Sequence, residues 1–217
     1  MSIISRLSRS SCSIIGGVGI ASLTSSYRSE CLSSTSSSNK LVSLKDKCVL
    51  ITGASVGIGK ACAERFAEHE CRLVLLGRRE ELLASLKKEL IDQHPQLKVH
   101  IVSISVNDTN AIKALPSALP KDFQDVTILV NNAGLALGVT TVENNIVEDA
   151  KTVIDTNVMG VIALCSAFLP GMKARGEGHL INMGSVAGHY AYTSGSVYNA
   201  SKYAVRGFTE GNQTPYI

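Results

Sequence analysis

The chain has 217 residues, with 21 Lys and Arg against 18 Asp and Glu, a formal net charge of +3 and a hydrophobic fraction of 45%. That length suffices for one sizeable α/β domain with an appendage, and the hydrophobic fraction is ordinary for a globular protein. The excess charge lies in the first forty residues, where Arg6, Arg9, Arg28 and Lys40 oppose only Glu30. The rest is balanced, which gives no reason to expect nucleic acid or an acidic surface as a partner.

Residues 1–44 stand apart as a targeting or disordered segment. They are dense in serine, carry arginines and hold no acidic residue before Glu30, the composition of a mitochondrial or plastid transit segment. A secretory signal or plain disorder are the alternatives. The apolar run from Ile14 to Leu23 is too short to span a bilayer, so no stable membrane insertion is expected. A mitochondrial location is expected, with the cytoplasm as the alternative. Cys12, Cys31, Cys48, Cys62, Cys71 and Cys165 are scattered, as are His69, His94, His100, His179 and His189. No metal is expected, and thiols in apolar patterns suit a reducing compartment.

From Lys45 to the end at 217, short apolar runs alternate with longer amphipathic ones. In chain order the pattern predicts a strand at 47–52, a helix at 57–69, a strand at 71–76 and a helix at 79–92. A strand at 98–103, a helix at 108–118 and a strand at 126–131 follow, then a helix at 144–170, a strand at 178–183 and a helix at 196–210. Strands separated by helices pair in parallel through right-handed crossovers, which gives a Rossmann-like doubly wound α/β sheet with helices on both faces. Ligands of such sheets bind at the carboxyl ends of the strands, where Gly53, Asn132 and Ser185 all fall.

The first strand runs into Thr52-Gly53-Ala54-Ser55-Val56-Gly57-Ile58-Gly59. Gly53, Gly57 and Gly59 let the main chain approach a ligand closely, and the helix start behind them presents N–H groups suited to pyrophosphate. Ser55 and Ile58 belong to the same turn. Far downstream, Tyr198-Asn-Ala-Ser-Lys202 sets a phenol and an ammonium one helical turn apart. A nearby ammonium favours a phenolate, which makes a general acid/base for an alcohol or carbonyl. Tyr190, Tyr192 and Tyr203 are rival phenols, but none has a lysine four residues later.

With Asn131-Asn132-Ala133-Gly134 and Asn157 between these motifs, and Ser185 thirteen positions before Tyr198, the chain resembles the short-chain dehydrogenase/reductase family from about Lys45 to about Glu210. Gly184-Ser-Val-Ala-Gly188 and the stretch from Gly195 to Val205 look most like its NADP-dependent 3-hydroxy acid dehydrogenases. The resemblance implies hydride transfer between NADP and a small hydroxy acid or other secondary alcohol or carbonyl compound. It implies that Tyr198 moves the proton, that Lys202 supports it and holds the nicotinamide ribose, that Ser185 bonds the substrate oxygen, and that Asn157 supports a water. Asn132, Ala133 and Gly134 then line the adenosine side, and a homo-oligomer is implied for the full-length form. NAD-binding sheets of this kind end the second strand in an acidic residue. Here Gly77 is followed by Arg78 and Arg79, whose guanidiniums suit the 2′-phosphate of NADP. Where the family usually has an aspartate beside adenine, Ser105 stands instead, which implies either weaker adenine binding or a substitute in Asp108.

Family members continue past the tyrosine helix with a strand, a Pro-Gly loop and a segment over the substrate, whereas this sequence closes at Gly211-Asn-Gln-Thr-Pro-Tyr-Ile217. The expectation is a fold lacking the family's last strands, poorly soluble and nearly inactive by itself. A non-catalytic truncated isoform or fragment, one that binds nucleotide or pairs with full-length subunits through the helix at 144–170, is the competing reading.

Overall fold

The computed structural model describes residues 43–138 and 140–212. The leader expected over 1–44 therefore lies, but for its last two residues, outside the described residues, as do Cys12 and Cys31.

Five strands, β1 (Cys48–Thr52), β2 (Arg72–Gly77), β3 (Val99–Ser103), β4 (Val126–Asn131) and β5 (His179–Asn182), form one parallel sheet in the order β3-β2-β1-β4-β5. The chain starts in the middle, winds outward to β3, crosses back beside β1 and continues to β5. Every residue of β1 is buried, because that strand has a paired neighbour on each edge and helices on each face. The period of two in a strand then sorts its side chains. Cys48 and Leu50 enter one core, while Val49 and Ile51 enter the other.

The second core is closed by α1 (Gly57–Ala67) through Ala63 and Ala67, and by α2 (Glu80–Gln93) through Leu83, Leu86 and Leu90. The leucines of α2 recur at helical spacing, and burying each contributes roughly 1.5–3 kcal/mol. The first core is closed by α3 (Thr109–Ala118), α5 (Gly160–Arg175) and α6 (Ser196–Gly211). Between α4 (Val147–Ile154) and α5 the backbone winds through a π turn, Asp155–Met159, where sequence periodicity predicts unbroken α-helix. The run also passes Pro170, the expected end, and stops at Gly176, whose φ of 66° caps it. Taken together, Val147–Arg175 is long and apolar enough to cross a membrane. Here it lies on the sheet, with Leu164, Phe168 and Met172 buried against β4 and α3.

Candidate active site

The turn after β1 is built from glycine because its backbone path excludes a Cβ. Gly53 has φ +62° and Gly57 φ +58°, both in the left-handed region. Gly59 is required by contact: a Cβ there would overlap the Gly53 carbonyl and stand 2.6 Å from Asn132 Nδ2. Helix α1 thus starts pressed against the ends of β1 and β4. Its N-cap residue, Val56, offers no side-chain acceptor, so the first-turn N–H groups and the positive end of the helix dipole are free for an anion.

Thr52 joins the two strand ends. Its Oγ1 accepts from the N–H groups of Asn132 (3.0 Å) and Ala133 (2.9 Å), and the Asn132 side chain donates to the carbonyls of Thr52 (2.9 Å) and Gly53 (3.2 Å). These ends enclose a cleft of about 320 Å³. Of the residues singled out in the sequence, Gly53, Ser55, Ile58, Arg78 and Arg79 line it, together with Asn132, Ala133 and Gly134. Gly57 and Gly59 do not line it but fix the turn that does. Arg79 Nη2 donates to Ser55 Oγ at 3.1 Å across the cleft, and Arg78 is exposed beside it.

No Asp or Glu lines the cleft. A Cβ at Gly77 would meet only the Leu83 side chain, at 3.6 Å or more, so glycine is not there for packing. It adds no carboxylate to the cleft wall beside the arginines.

The expectation for Asp108 is corrected by the structure. Asp108 does not line the cleft; its Oδ1 accepts from the Ala111 N–H at 2.9 Å and caps α3. A carboxylate just before a helix is claimed by the unpaired N–H groups of the first turn. Asn107, which sequence reasoning passed over, lines the cleft beside Ser105 instead.

Asn157 and Lys202 meet beside Gly134. Asn157, in the π turn and 1% exposed, accepts from Leu135 N–H (2.9 Å) and donates to Leu135 O (2.8 Å) and Ser201 Oγ (3.0 Å). Ser201 in turn donates to the Tyr198 carbonyl at 2.7 Å. Asn157 therefore ties the loop after β4 to the helix that carries Tyr198. Ser201 was also missed, its only signal being a hydroxyl between tyrosine and lysine on a buried face. Lys202 is 7% exposed, and its ammonium donates to the Met183 carbonyl at 2.8 Å and stands 5.8 Å from the Tyr198 ring centre. Burial holds its pKa below the ordinary lysine value. Ser185 follows β5 and opens a 3-10 turn, where its Oγ accepts from Ala187 N–H at 3.1 Å and keeps its own proton to donate. Gly188, at the end of that turn, lies against the Lys202 carbonyl.

Tyr190, Tyr192 and Tyr203 are exposed, and the Tyr203 hydroxyl donates to the His189 carbonyl at 2.6 Å. Among the described residues no group of three His, Cys, Asp or Glu side chains is placed to hold a metal. Cys48 is pushed up to about 12, and Cys71 and Cys165 to about 11, by burial, which leaves these thiols unreactive at neutral pH.

The short chain dehydrogenase family matches residues 47–216. The NADP-dependent 3-hydroxy acid dehydrogenase YdfG of Salmonella typhi is 44% identical over 161 residues, which cover 74% of this chain and 63% of that protein. Sulfoacetaldehyde reductase of Chromohalobacter salexigens is 44% identical over 163 residues, covering 75% of this chain and 63% of that protein. The chain thus spans 63% of the length of these two relatives. Among solved structures, the closed form of serine dehydrogenase complexed with NADP+ superposes with a TM-score of 0.71 at 41% identity, covering 76% of this chain and 65% of that one. The glycine turn, the parallel sheet and the matched span agree, and the chain belongs to the short chain dehydrogenase family.

Proposed function

We propose that this protein transfers a hydride between NADP(H) and a small hydroxy acid or another secondary alcohol, with Tyr198 as general acid/base. The observation that carries the reading is the cleft. It is lined by two guanidiniums and no carboxylate, opens at a helix start with free N–H groups, and ends at Gly134 beside Asn157 and Lys202. The names of the relatives, a 3-hydroxy acid dehydrogenase and a sulfoacetaldehyde reductase, support the substrate class.

The residues present fit NADP. Gly53 and the first-turn amides of α1 receive the pyrophosphate, and Arg78 with Arg79 faces the 2′-phosphate. When bound, the nicotinamide supplies the hydride or accepts it. Ser185 donates a hydrogen bond to the substrate oxygen, and Tyr198 gives that oxygen a proton in reduction or takes it in oxidation. Lys202 sets its ammonium 5.8 Å from the Tyr198 ring centre. Asn157 and Ser201 are positioning residues that tie the Tyr198 helix to the loop after β4. Following NADPH oxidation with a panel of small keto acids and aldehydes tests the reading, and absence of turnover with every member rejects it.

Titration should find NADPH bound more tightly than NADH. Arg78→Ala removes a charge-assisted contact worth roughly 1.5–3 kcal/mol and should narrow the preference by about tenfold or more. Equal affinities in the wild type would contradict the assignment of the arginines.

Lys202 also gives a pH signature. Its folded pKa lies below that of the unfolded chain, so between the two values the unfolded state binds more protons. Its contribution to stability therefore rises as pH climbs through the folded pKa towards 10.5. In melts of wild type and Lys202→Met, the difference should move in favour of the wild type from pH 7 to pH 10. A pH-independent difference would show that the ammonium is not held at a cost.

A further inference from the structure

We infer that Asn107 reads the base of the bound nucleotide through its side-chain amide. The inference rests on the NADP reading above and deepens it. With the pyrophosphate at Gly53 and the ribose phosphate at the arginines, the base lies along the remaining wall of the cleft, where Ser105, Val106 and Asn107 follow β3. Adenine presents on either edge an N6–H donor next to a ring-nitrogen acceptor, and a side-chain amide pairs with both at once.

Most of the other polar groups of that wall carry bonds within the protein, and the Ser105 hydroxyl keeps only its proton to give. Ser105 Oγ accepts from the Asn107 N–H at 3.2 Å, and the Ser105 carbonyl accepts from the Asp108 N–H at 3.1 Å. The Asn107 carbonyl accepts from Thr109 N–H at 3.1 Å. Asp108 is fixed as the cap of α3, and the Asn132 amide holds Thr52 and Gly53. This folding of the turn back on itself buries Val106 and leaves the Asn107 side chain exposed on the cleft wall. Among the described residues of the cleft it is the one amide not already bonded within the protein. A side-chain amide has what a carboxylate lacks, a donor for the ring nitrogen. Ser105 thus does not leave the base unread; recognition moves two residues along the chain.

The test compares NADP+ with 1,N6-etheno-NADP+, in which a bridge removes the N6–H donor and blocks the neighbouring ring nitrogen. Affinities are measured by calorimetry on the full chain. The wild type should bind the etheno compound about tenfold more weakly than NADP+, the scale of one bidentate amide–base pair. Asn107→Ala should bind NADP+ about tenfold more weakly than the wild type and lose the discrimination. Asn107→Asp, which still accepts from N6–H, should retain discrimination with intermediate affinity. If the wild type binds both compounds alike, or Asn107→Ala still discriminates as the wild type does, the base is read elsewhere and the inference fails while the NADP reading stands. If the wild type binds neither compound, the NADP reading fails and the inference with it.

Discussion

Tyr198→Phe is expected to lower turnover by roughly 10²–10⁴-fold, the usual contribution of a positioned general acid or base, while NADPH affinity stays almost unchanged. The phenol oxygen is the only atom removed. The helix keeps its anchors, because Ser201 bonds the backbone carbonyl of residue 198 and Lys202 bonds Met183, neither of which involves the phenol. Steady-state rates and cofactor titration on the same preparations separate the two effects. Retention of most of the rate would assign proton transfer to another group, and Tyr192 would be the next phenol to replace. A parallel loss of cofactor affinity would instead show a disturbed fold.

Gly59→Ala is expected to damage both stability and cofactor binding, although it adds one methyl group. The new Cβ would meet the Gly53 carbonyl and the Asn132 side chain, which are main chain and a fully engaged amide, and neither has room to give. Overpacking of this kind costs roughly 1–3 kcal/mol, or about 2–4 °C of melting temperature for each kcal/mol in a chain of this size. Relief would move α1 away from the strand ends and spoil the anion site. Gly207→Ala makes the same chemical change on an exposed turn of α6 with nothing within 4 Å, and should gain up to about 1 kcal/mol from helix propensity. Melting curves of the two variants should therefore move in opposite directions. Equal shifts would mean that the close approach of α1 to β1 is not rigid.

The sheet was legible because its signals are local and repeated. The apolar runs of β1, β2 and β4 are buried on both faces and bounded by turns, and each strand lies within two residues of its expected limits. The glycine turn was legible for the same reason, and the spacing of Tyr198 and Lys202 placed both on one helix. What was missed depends on competition for hydrogen bonds between segments far apart in sequence. Asp108 looked like a ligand for the base until α3 claimed it as a cap. Ser201 looked like a spacer until it met Asn157, forty-four positions away. Arg79 pairing with Ser55 is equally non-local. The π turn escaped notice because hydropathy patterns do not distinguish hydrogen bonds five residues apart from bonds four apart over so short a stretch.

That π turn makes the site sensitive to changes in length as well as to changes in residue. One residue more or less in a helix rotates everything beyond it by about 100° relative to what came before. The wider turn of Asp155–Met159 absorbs one extra residue, so the two flanks of the helix stay in phase while Asn157 turns to Leu135 and Ser201. A single-residue deletion there would relax the backbone to a continuous α-helix whose two halves stay in phase, but the turn that aims Asn157 at Leu135 and Ser201 would be lost. Drift by insertion and deletion, which surface loops absorb readily, is thus closed to this segment, and its length is constrained as tightly as the identity of Asn157.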